Sequence, residues 1–245
     1  MMELSGRLQA VADLLSEGLR VADIGCDHGF MSIYLIESTK SPACIAMDVN
    51  QGPLERAREN IERQRLSTYI ETRLSDGARS LRFVSPQEGQ RRLEVDAAIL
   101  AGMGGRLMIH MIEDSLEKFL AMKEFILQPQ SEIASVRRFI RQIGCQITDE
   151  DMVLEENKFY PMMKAEPIGS RREKGVELFD CYGEQLLKKK HPVLKLFLER
   201  EEGLYEGLLS SLKQQNTKKS ISRRQEIEKE LVKIRQGLDW FNDEM

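Results

Sequence analysis

Cysteine is scarce and unpaired in this sequence. Cys26, Cys44, Cys145 and Cys181 are the only four in 245 residues, and no two form a Cys-x-x-Cys pair. That spacing argues against a disulfide framework or a thiol redox pair; reduced thiols, a cytoplasmic location and no metal are expected. No stretch approaches the roughly twenty apolar residues that span a bilayer, and Met1-Met2-Glu3-Leu4 is not signal-like, so a soluble chain with no membrane partner is expected. Positive charge is not in excess either: 36 Lys and Arg against 40 Asp and Glu leave a net charge of -4. Nucleic-acid binding would therefore need a local basic patch. The dinucleotide fingerprint Gly-x-Gly-x-x-Gly is missing as well. The length suits one large domain, or one ordinary domain plus a small one.

What is present is organised around Val21-Ala22-Asp23-Ile24-Gly25-Cys26-Asp27-His28-Gly29. A short apolar run breaks at Asp23, passes through two glycines and hands over to Phe30-Met31-Ser32-Ile33-Tyr34-Leu35-Ile36, whose apolar spacing suits a helix. Strand, glycine turn and helix make a nucleotide site, with glycines that let a ligand approach and a carboxylate at the strand end. A second run, Ala43 to Met47, ends in Asp48, about twenty residues beyond the first turn, where a ribose-binding acid belongs. A pyrophosphate needs a helix N-terminus free of negative charge, whereas Asp23 and Asp27 crowd this turn; a cationic cofactor fits better. The Asp-x-Gly-x-x-x-Gly turn with Asp48 resembles the Rossmann-like methyltransferases that use S-adenosylmethionine. The resemblance implies a cofactor held by Asp23, Gly25, His28, Gly29, Asp48 and Val49.

Residues 4 to 18 space Leu4, Leu8, Val11, Ala12, Leu14 and Leu15 as an entry helix, with Arg7 read as surface ahead of a role facing substrate or cofactor. Pro53 opens a second crossover helix whose arginines form a solvated face. Tyr69 to Leu74 reads as a third strand ending at Ser75-Asp76-Gly77; the methyltransferase reading sets Asp76 and Gly77 at the cofactor's adenine, the plain alternative being an ordinary Asp-Gly turn. Pro86 to Arg92 is loop-like, and Leu93 to Ala101 reads as a central strand running into Gly102-Met103-Gly104-Gly105. In a doubly wound sheet that loop faces the cofactor, and its glycines imply close backbone approach at Gly102 and Gly104. The Asn-Pro-Pro-aromatic motif of many amino methyltransferases is not found there. Arg106 to Met122 reads as one helix with Leu107, Ile109, His110, Met111, Ile112, Leu116, Phe119 and Leu120 inward. Phe125 to Gln130 reads as a strand, Ser131 as the cap of a helix with Arg137, Arg138 and Arg141 on its outer face, and Cys145–Leu154 with Lys158–Ile168 as a final strand pair.

Asp-Ile-Gly-Cys-Asp-His-Gly at 23–29, Ala-Gly-Met-Gly-Gly at 101–105 and Asn-Lys-Phe-Tyr-Pro at 157–161 together resemble the bacterial tRNA (adenine-N1)-methyltransferases that modify adenine 22. The family resemblance implies a Rossmann-like catalytic domain over residues 1–169 and a helical coiled-coil domain over 170–245. It further implies S-adenosylmethionine as cofactor, tRNA as substrate and 1-methyladenosine as product. In the tail, Val193, Phe197, Leu204, Leu208 and Leu212 keep one stripe, and Ile227, Leu231, Ile234, Leu238 and Phe241 alternate steps of four and three. With Asn216 to Ser220 as a polar turn, the expected fold is an antiparallel helical hairpin in a monomer. Its lysines and arginines at 188–190, 195, 218–219 and 223–224 read either as a solvated face or, beside a methyltransferase, as a tRNA-backbone contact.

Attack by adenine N1 makes the base cationic, so a carboxylate near it stabilises the developing charge. Asp27 is the candidate, its alternative being a cap on the glycine turn. A paired or stacked adenine must be extruded, and Tyr160 is the candidate stacking platform, its alternative being a core tyrosine. The backbone at Gly102 and Gly104 could meet the base edge. Two other readings stay open: a methyltransferase with a different acceptor, and a non-catalytic RNA-binding protein.

Overall fold

The computed structural model describes residues 2–87, 90–169, 175–212 and 218–242. The chain divides into two compact units, Met1–Lys174 and Gly175–Met245.

The first unit begins with α1 (Gly6–Leu14), capped by the Ser5 hydroxyl accepting from the Leu8 N–H. Strand β1 (Val21–Ile24), helix α2 (Phe30–Glu37), strand β2 (Cys44–Asp48), helix α3 (Gln51–Arg63) and strand β3 (Ile70–Leu74) follow as two helical crossovers joining parallel strands. A small antiparallel ribbon, β4 (Phe83–Gln87) with β5 (Gln90–Leu93), precedes β6 (Ala97–Met103). Helices α4 (Gly105–Asp114) and α5 (Leu116–Leu120), strand β7 (Glu124–Pro129), helix α6 (Ile133–Gln142) and the long hairpin β8 (Cys145–Glu155) and β9 (Lys158–Pro167) complete the unit. The seven-stranded sheet has the order β3-β2-β1-β6-β7-β9-β8, with β9 antiparallel to both its neighbours. This is the doubly wound methyltransferase architecture expected from the sequence.

Strands β1, β2 and β7 are buried along their whole length, as parallel strands covered on both faces must be. Alternation then sorts their side chains into two cores. Ala22, Ile24, Leu100, Phe125 and Leu127 pack with Met108, Ile112, Phe119, Val136 and Ile140 of α4 to α6. Val21, Ala46, Ile99 and Ile126 pack with Val11, Ile33, Leu35, Ala57 and Ile61 of α1 to α3.

Several local expectations are corrected. Of the loop-like segment 86–92, Pro86 and Gln87 belong to β4 and Gln90 to Arg92 to β5, residues 88 and 89 lying outside the described residues, and the central strand starts at Ala97, since Leu93 pairs with Phe83. The 106–122 helix breaks at Ser115, and its inward face is Gly105, Met108, Ile112 and Phe119; Leu107, Leu120 and His110 are exposed. Ser131 does not cap α6, whose first residue follows Glu132 in left-handed backbone; its hydroxyl meets the Gly105 N–H instead. Arg137 is not on an outer face either, for it is buried in a 2.8 Å ion pair with buried Glu150.

The second unit contains α7 (Glu177–Tyr182), α8 (Glu184–Lys188), α9 (Pro192–Leu212) and α10 (Lys218–Asn242). The long helices run antiparallel: a Cβ on Gly237 would lie 3.1 Å from Leu198, and Arg235 pairs with Glu202 and Glu206. Ile227, Leu231 and Ile234 are buried as the stripe on α10 requires. On α9 the buried face is one residue out of step with the expected stripe: Leu194 and Leu198 are inside, whereas Leu204 and Leu208 are exposed. The small Gly237 and the tyrosine beneath it draw Leu198 inward, and that choice of phase rotates Leu204 and Leu208 out. Asn216 and Thr217 of the expected turn lie outside the described residues.

Candidate active site

The site forms where the strand order reverses. Parallel strands β1, β2 and β6 end together, with Ile24 opposite both Met47 and Leu100, and crossovers depart on opposite faces from β1 and β6. Between β1 and α2 the backbone turns through left-handed conformations at Gly25 (φ 77°), Asp27 (φ 48°) and Gly29 (φ 72°). At Gly25 a side chain would be strained by the left-handed backbone, and a Cβ there would displace the Met103 methyl. At Gly29 the constraint is packing, with a Cβ 3.1 Å from that of Ala57, so α2 starts hard against α3.

Three amides of this turn are spent on the protein itself. Gly25 and Cys26 donate to the Met47 carbonyl at 2.8 and 2.9 Å, and Gly29 donates to the Cys26 carbonyl at 2.7 Å. The first turn of α2 holds an anion of its own, because the Ser32 hydroxyl donates to Asp23 at 2.8 Å and the Ser32 N–H bonds the same carboxylate. Burial nevertheless raises the Asp23 pKa from 3.8 to about 6; the Ser32 bonds pull it down, and the nearby Asp48 charge adds to the rise. Burial first, then the charges of Asp23 and Asp48, push the Cys26 thiol up, which keeps it neutral. Asp48 fixes the next turn by accepting the Asn50 N–H at 2.8 Å.

These strand ends enclose a cavity of about 470 Å³. Asp23, Gly25, Asp27, His28, Asp48, Val49, Gly77 and Gly102 all line it, so the structure brings together most of the residues singled out from the sequence. Four others are not among its lining. Gly29 packs on α3, and Gly104 begins α4, where its carbonyl accepts the Met108 N–H. Asp76 is exposed and pairs with Arg79 at 2.6 Å, leaving Ser75 and Gly77 as the cavity wall. Tyr160 is half-buried against the α1–α3 core with the Arg7 guanidinium 5.5 Å over its ring. Nor is the Gly102 N–H open to a base edge, since it donates to Gln128 Oε1 at 3.1 Å.

Sequence reasoning missed part of the site. Arg7 is no surface residue: its Nη1 donates to Gln128 Oε1 at 2.7 Å and it lines the cavity, the one Lys or Arg among the described residues that does. Its role facing substrate or cofactor is the alternative that the sequence ranks behind the surface one. Gln128 is wholly buried in an apolar strand, a polar residue out of pattern that could have been flagged. Phe30, Met103, Leu107 and Met111 supply apolar wall. Leu107 was expected in the core, and Phe30, 39 % exposed at the first position of α2, carried no functional assignment.

Carboxylates at two strand ends, one cation, and a mixed apolar wall suit a ligand that is cationic overall yet carries one anionic group. S-adenosylmethionine has that charge pattern, and the cavity volume lies within the range of about 300–1,000 Å³ usual for small-molecule sites. Among the described residues no group of three or more His, Cys, Asp or Glu is placed to hold a metal ion, and no helix is long and apolar enough to cross a membrane.

Comparison with known proteins agrees with this chemistry. The chain is 29% identical over 242 residues to the tRNA (adenine(22)-N(1))-methyltransferase of Bacillus subtilis strain 168, covering 94% of this chain and 98% of that one. The crystal structure of the B. subtilis M1A22 tRNA methyltransferase TrmK superposes with a TM-score of 0.80 at 25% identity, covering 97% of this chain and all of that one. The M. capricolum TrmK structure in complex with the cofactor product S-adenosylhomocysteine gives 0.78 at 26% identity, with 98% and 99% covered. The methyltransferase-domain family model matches residues 4–163, more than half of the sequence, and the chain belongs to that family.

Proposed function

We propose that this protein transfers a methyl group from S-adenosylmethionine to N1 of an adenine in tRNA, at position 22. The observation that carries the reading is the near full-length correspondence with the B. subtilis enzyme, helical unit included, around a cavity lined by the expected acids. When bound, S-adenosylmethionine supplies an electrophilic methyl: the N1 lone pair bonds the carbon as the C–S pair returns to sulfur, leaving S-adenosylhomocysteine and a cationic base.

The chain's own residues would bind, orient and shield the reactants. Asp48 receives the ribose hydroxyls, and Asp23 faces the cofactor's ammonium group. Arg7, held by Gln128, meets its carboxylate, replacing the surface role first given to this arginine. Val49, Leu107 and Met111 enclose the adenine beside Gly77, a task that Asp76, turned outward to Arg79, leaves to them. Asp27, exposed at the cavity and held in left-handed backbone, presents a carboxylate to the charge that develops on the target base. Every lining residue comes from the first unit, which supports catalysis by residues 1–169 and leaves tRNA binding to 170–245; a monomer working in the cytoplasm belongs to the same proposal. In the helical unit Lys188, Lys195 and Arg223 pair with acids on their own helices, so tRNA phosphates would compete with those pairs.

The test is to incubate the protein with labelled S-adenosylmethionine and unmodified tRNA, digest the RNA and identify nucleosides by mass spectrometry. The expected product is 1-methyladenosine, with kcat about 10²-fold lower in Asp27→Asn, which keeps the left-handed turn and removes the charge. Cofactor binding without any methylated tRNA nucleoside would transfer the assignment to another acceptor.

A further inference from the structure

We infer that the stacked pair of Phe30 and His28, and not Tyr160, is the platform on which the target base lies. The inference rests on the tRNA-methylation reading and gives that site its base-binding surface. The two rings sit 5.3 Å apart between centroids at an interplanar angle of 14°, flanking Gly29 at the start of α2. Both line the cavity that holds Asp23 and Asp48. Phe30 stays 39 % exposed there, although Met31, Ile33 and Leu35 of the same helix are buried. A large flat apolar side chain left exposed beside the strand-end carboxylates is a surface for a flat apolar face, and a purine taken out of its stack has one. Tyr160 offers no such face to the cavity: it is not among the lining residues, and it packs half-buried against the core with Arg7 over its ring.

The pair also suits the chemistry. Asp27 Oδ1 lies 3.6 Å from His28 Nε2, so the aromatic surface and the exposed carboxylate belong to one turn. Methylation at N1 turns a neutral adenine into a cation, and a π face and a carboxylate each attract a cation more strongly than a neutral ring. Stacking on Phe30 therefore tightens toward the transition state, and its loss shows in kcat as well as KM.

The experiment compares Phe30→Leu, which removes the ring, with Phe30→Tyr, which retains it. Readouts are kcat and KM for tRNA, calorimetric Kd for S-adenosylmethionine, and melting temperature. Phe30→Leu is expected to lower kcat/KM for tRNA roughly 5- to 150-fold, leaving cofactor Kd unchanged, while Phe30→Tyr keeps most of the activity. If Phe30→Leu does not fold, Phe30→Met takes its place with the same expectation. Unchanged kcat/KM in the ringless variant overturns the platform, as does a loss of cofactor affinity equal to the loss of activity, which would put the ring against S-adenosylmethionine. Wild-type protein that methylates no tRNA overturns the broader reading and this one with it; wild-type activity beside an indifferent Phe30→Leu overturns the platform alone.

Discussion

Asp23 is buried, and in the free protein its ionisation is opposed by the fold. The carboxyl pKa rises from 3.8 to about 6, chiefly through burial. Each unit corresponds to about 1.4 kcal/mol, so the ionised carboxylate destabilises the apo protein by on the order of 3 kcal/mol above pH 6. Below pH 3.8 both folded and unfolded chains carry the proton, and the penalty is zero. Between 3.8 and about 6 the folded chain keeps a proton that the unfolded chain has released, so stability falls as pH rises across this window. Asp23→Asn keeps the shape and can still accept from Ser32. It should raise apo stability in urea unfolding at pH 7.5 by up to about 3 kcal/mol, and by almost nothing near pH 4. The same substitution should weaken S-adenosylmethionine binding severely, because the carboxylate is strained for the sake of a cation. Wild-type affinity should fall about tenfold per pH unit below 6, where the cofactor's ammonium must displace the proton. An Asp23→Asn protein no more stable than wild type at pH 7.5, or stabilised equally at pH 4 and 7.5, would refute the argument.

Gly25→Ala should destabilise the fold by about 1–2 kcal/mol, since residue 25 is left-handed. It should also weaken cofactor binding in calorimetry, because the Met103 methyl that a Cβ would meet must swing away and both residues line the cavity. Gln128→Leu strips the acceptor from the Gly102 N–H and from Arg7, and should cost about 1–3 kcal/mol in thermal or urea unfolding. Once Gln128 is Leu, Arg7→Ala should cost less cofactor affinity than it does in the wild type, a coupling that a double-mutant cycle measures.

The doubly wound sheet was legible because its strands announce themselves twice, as apolar runs and as acids where the runs end. Asp23 and Asp48 could be placed by this logic without any coordinates. What stayed hidden depends on direction rather than on pattern. Asp76 ends a turn in the right place, but Arg79 three residues on pulls it outward. Arg7 reaches the site because Gln128, over a hundred residues away, turns it there. Neither contact leaves a local mark. On α9 two apolar stripes one residue apart were available, and the pattern alone gave no means of choosing; Leu198 against Gly237 chose. The Leu93 to Asp96 run looked central for want of a turn signal before Ala97, though Arg92 already pairs with Val84 in the ribbon.

The choice of cofactor class also has a firmer footing in the structure than in the sequence. Two carboxylates beside a glycine turn argue against a pyrophosphate only by repulsion, which salt can screen and a bound cation can reverse. Hydrogen-bond accounting is stricter. A dinucleotide site works by leaving amides at the head of the first helix for phosphate oxygens to take. In this chain Gly25, Cys26 and Gly29 have given theirs to backbone carbonyls, and Ser32 has given both its N–H and its hydroxyl to Asp23. To seat a pyrophosphate at Ser32 the turn would have to expel a buried carboxylate from the position the phosphate wants. To seat an ammonium it need change nothing, and the carboxylate that burial had raised toward neutrality gains the partner that lets it ionise. The glycine pattern therefore marks a nucleotide turn in both classes of protein, and the acid at the strand end decides which class by occupying the anion site itself.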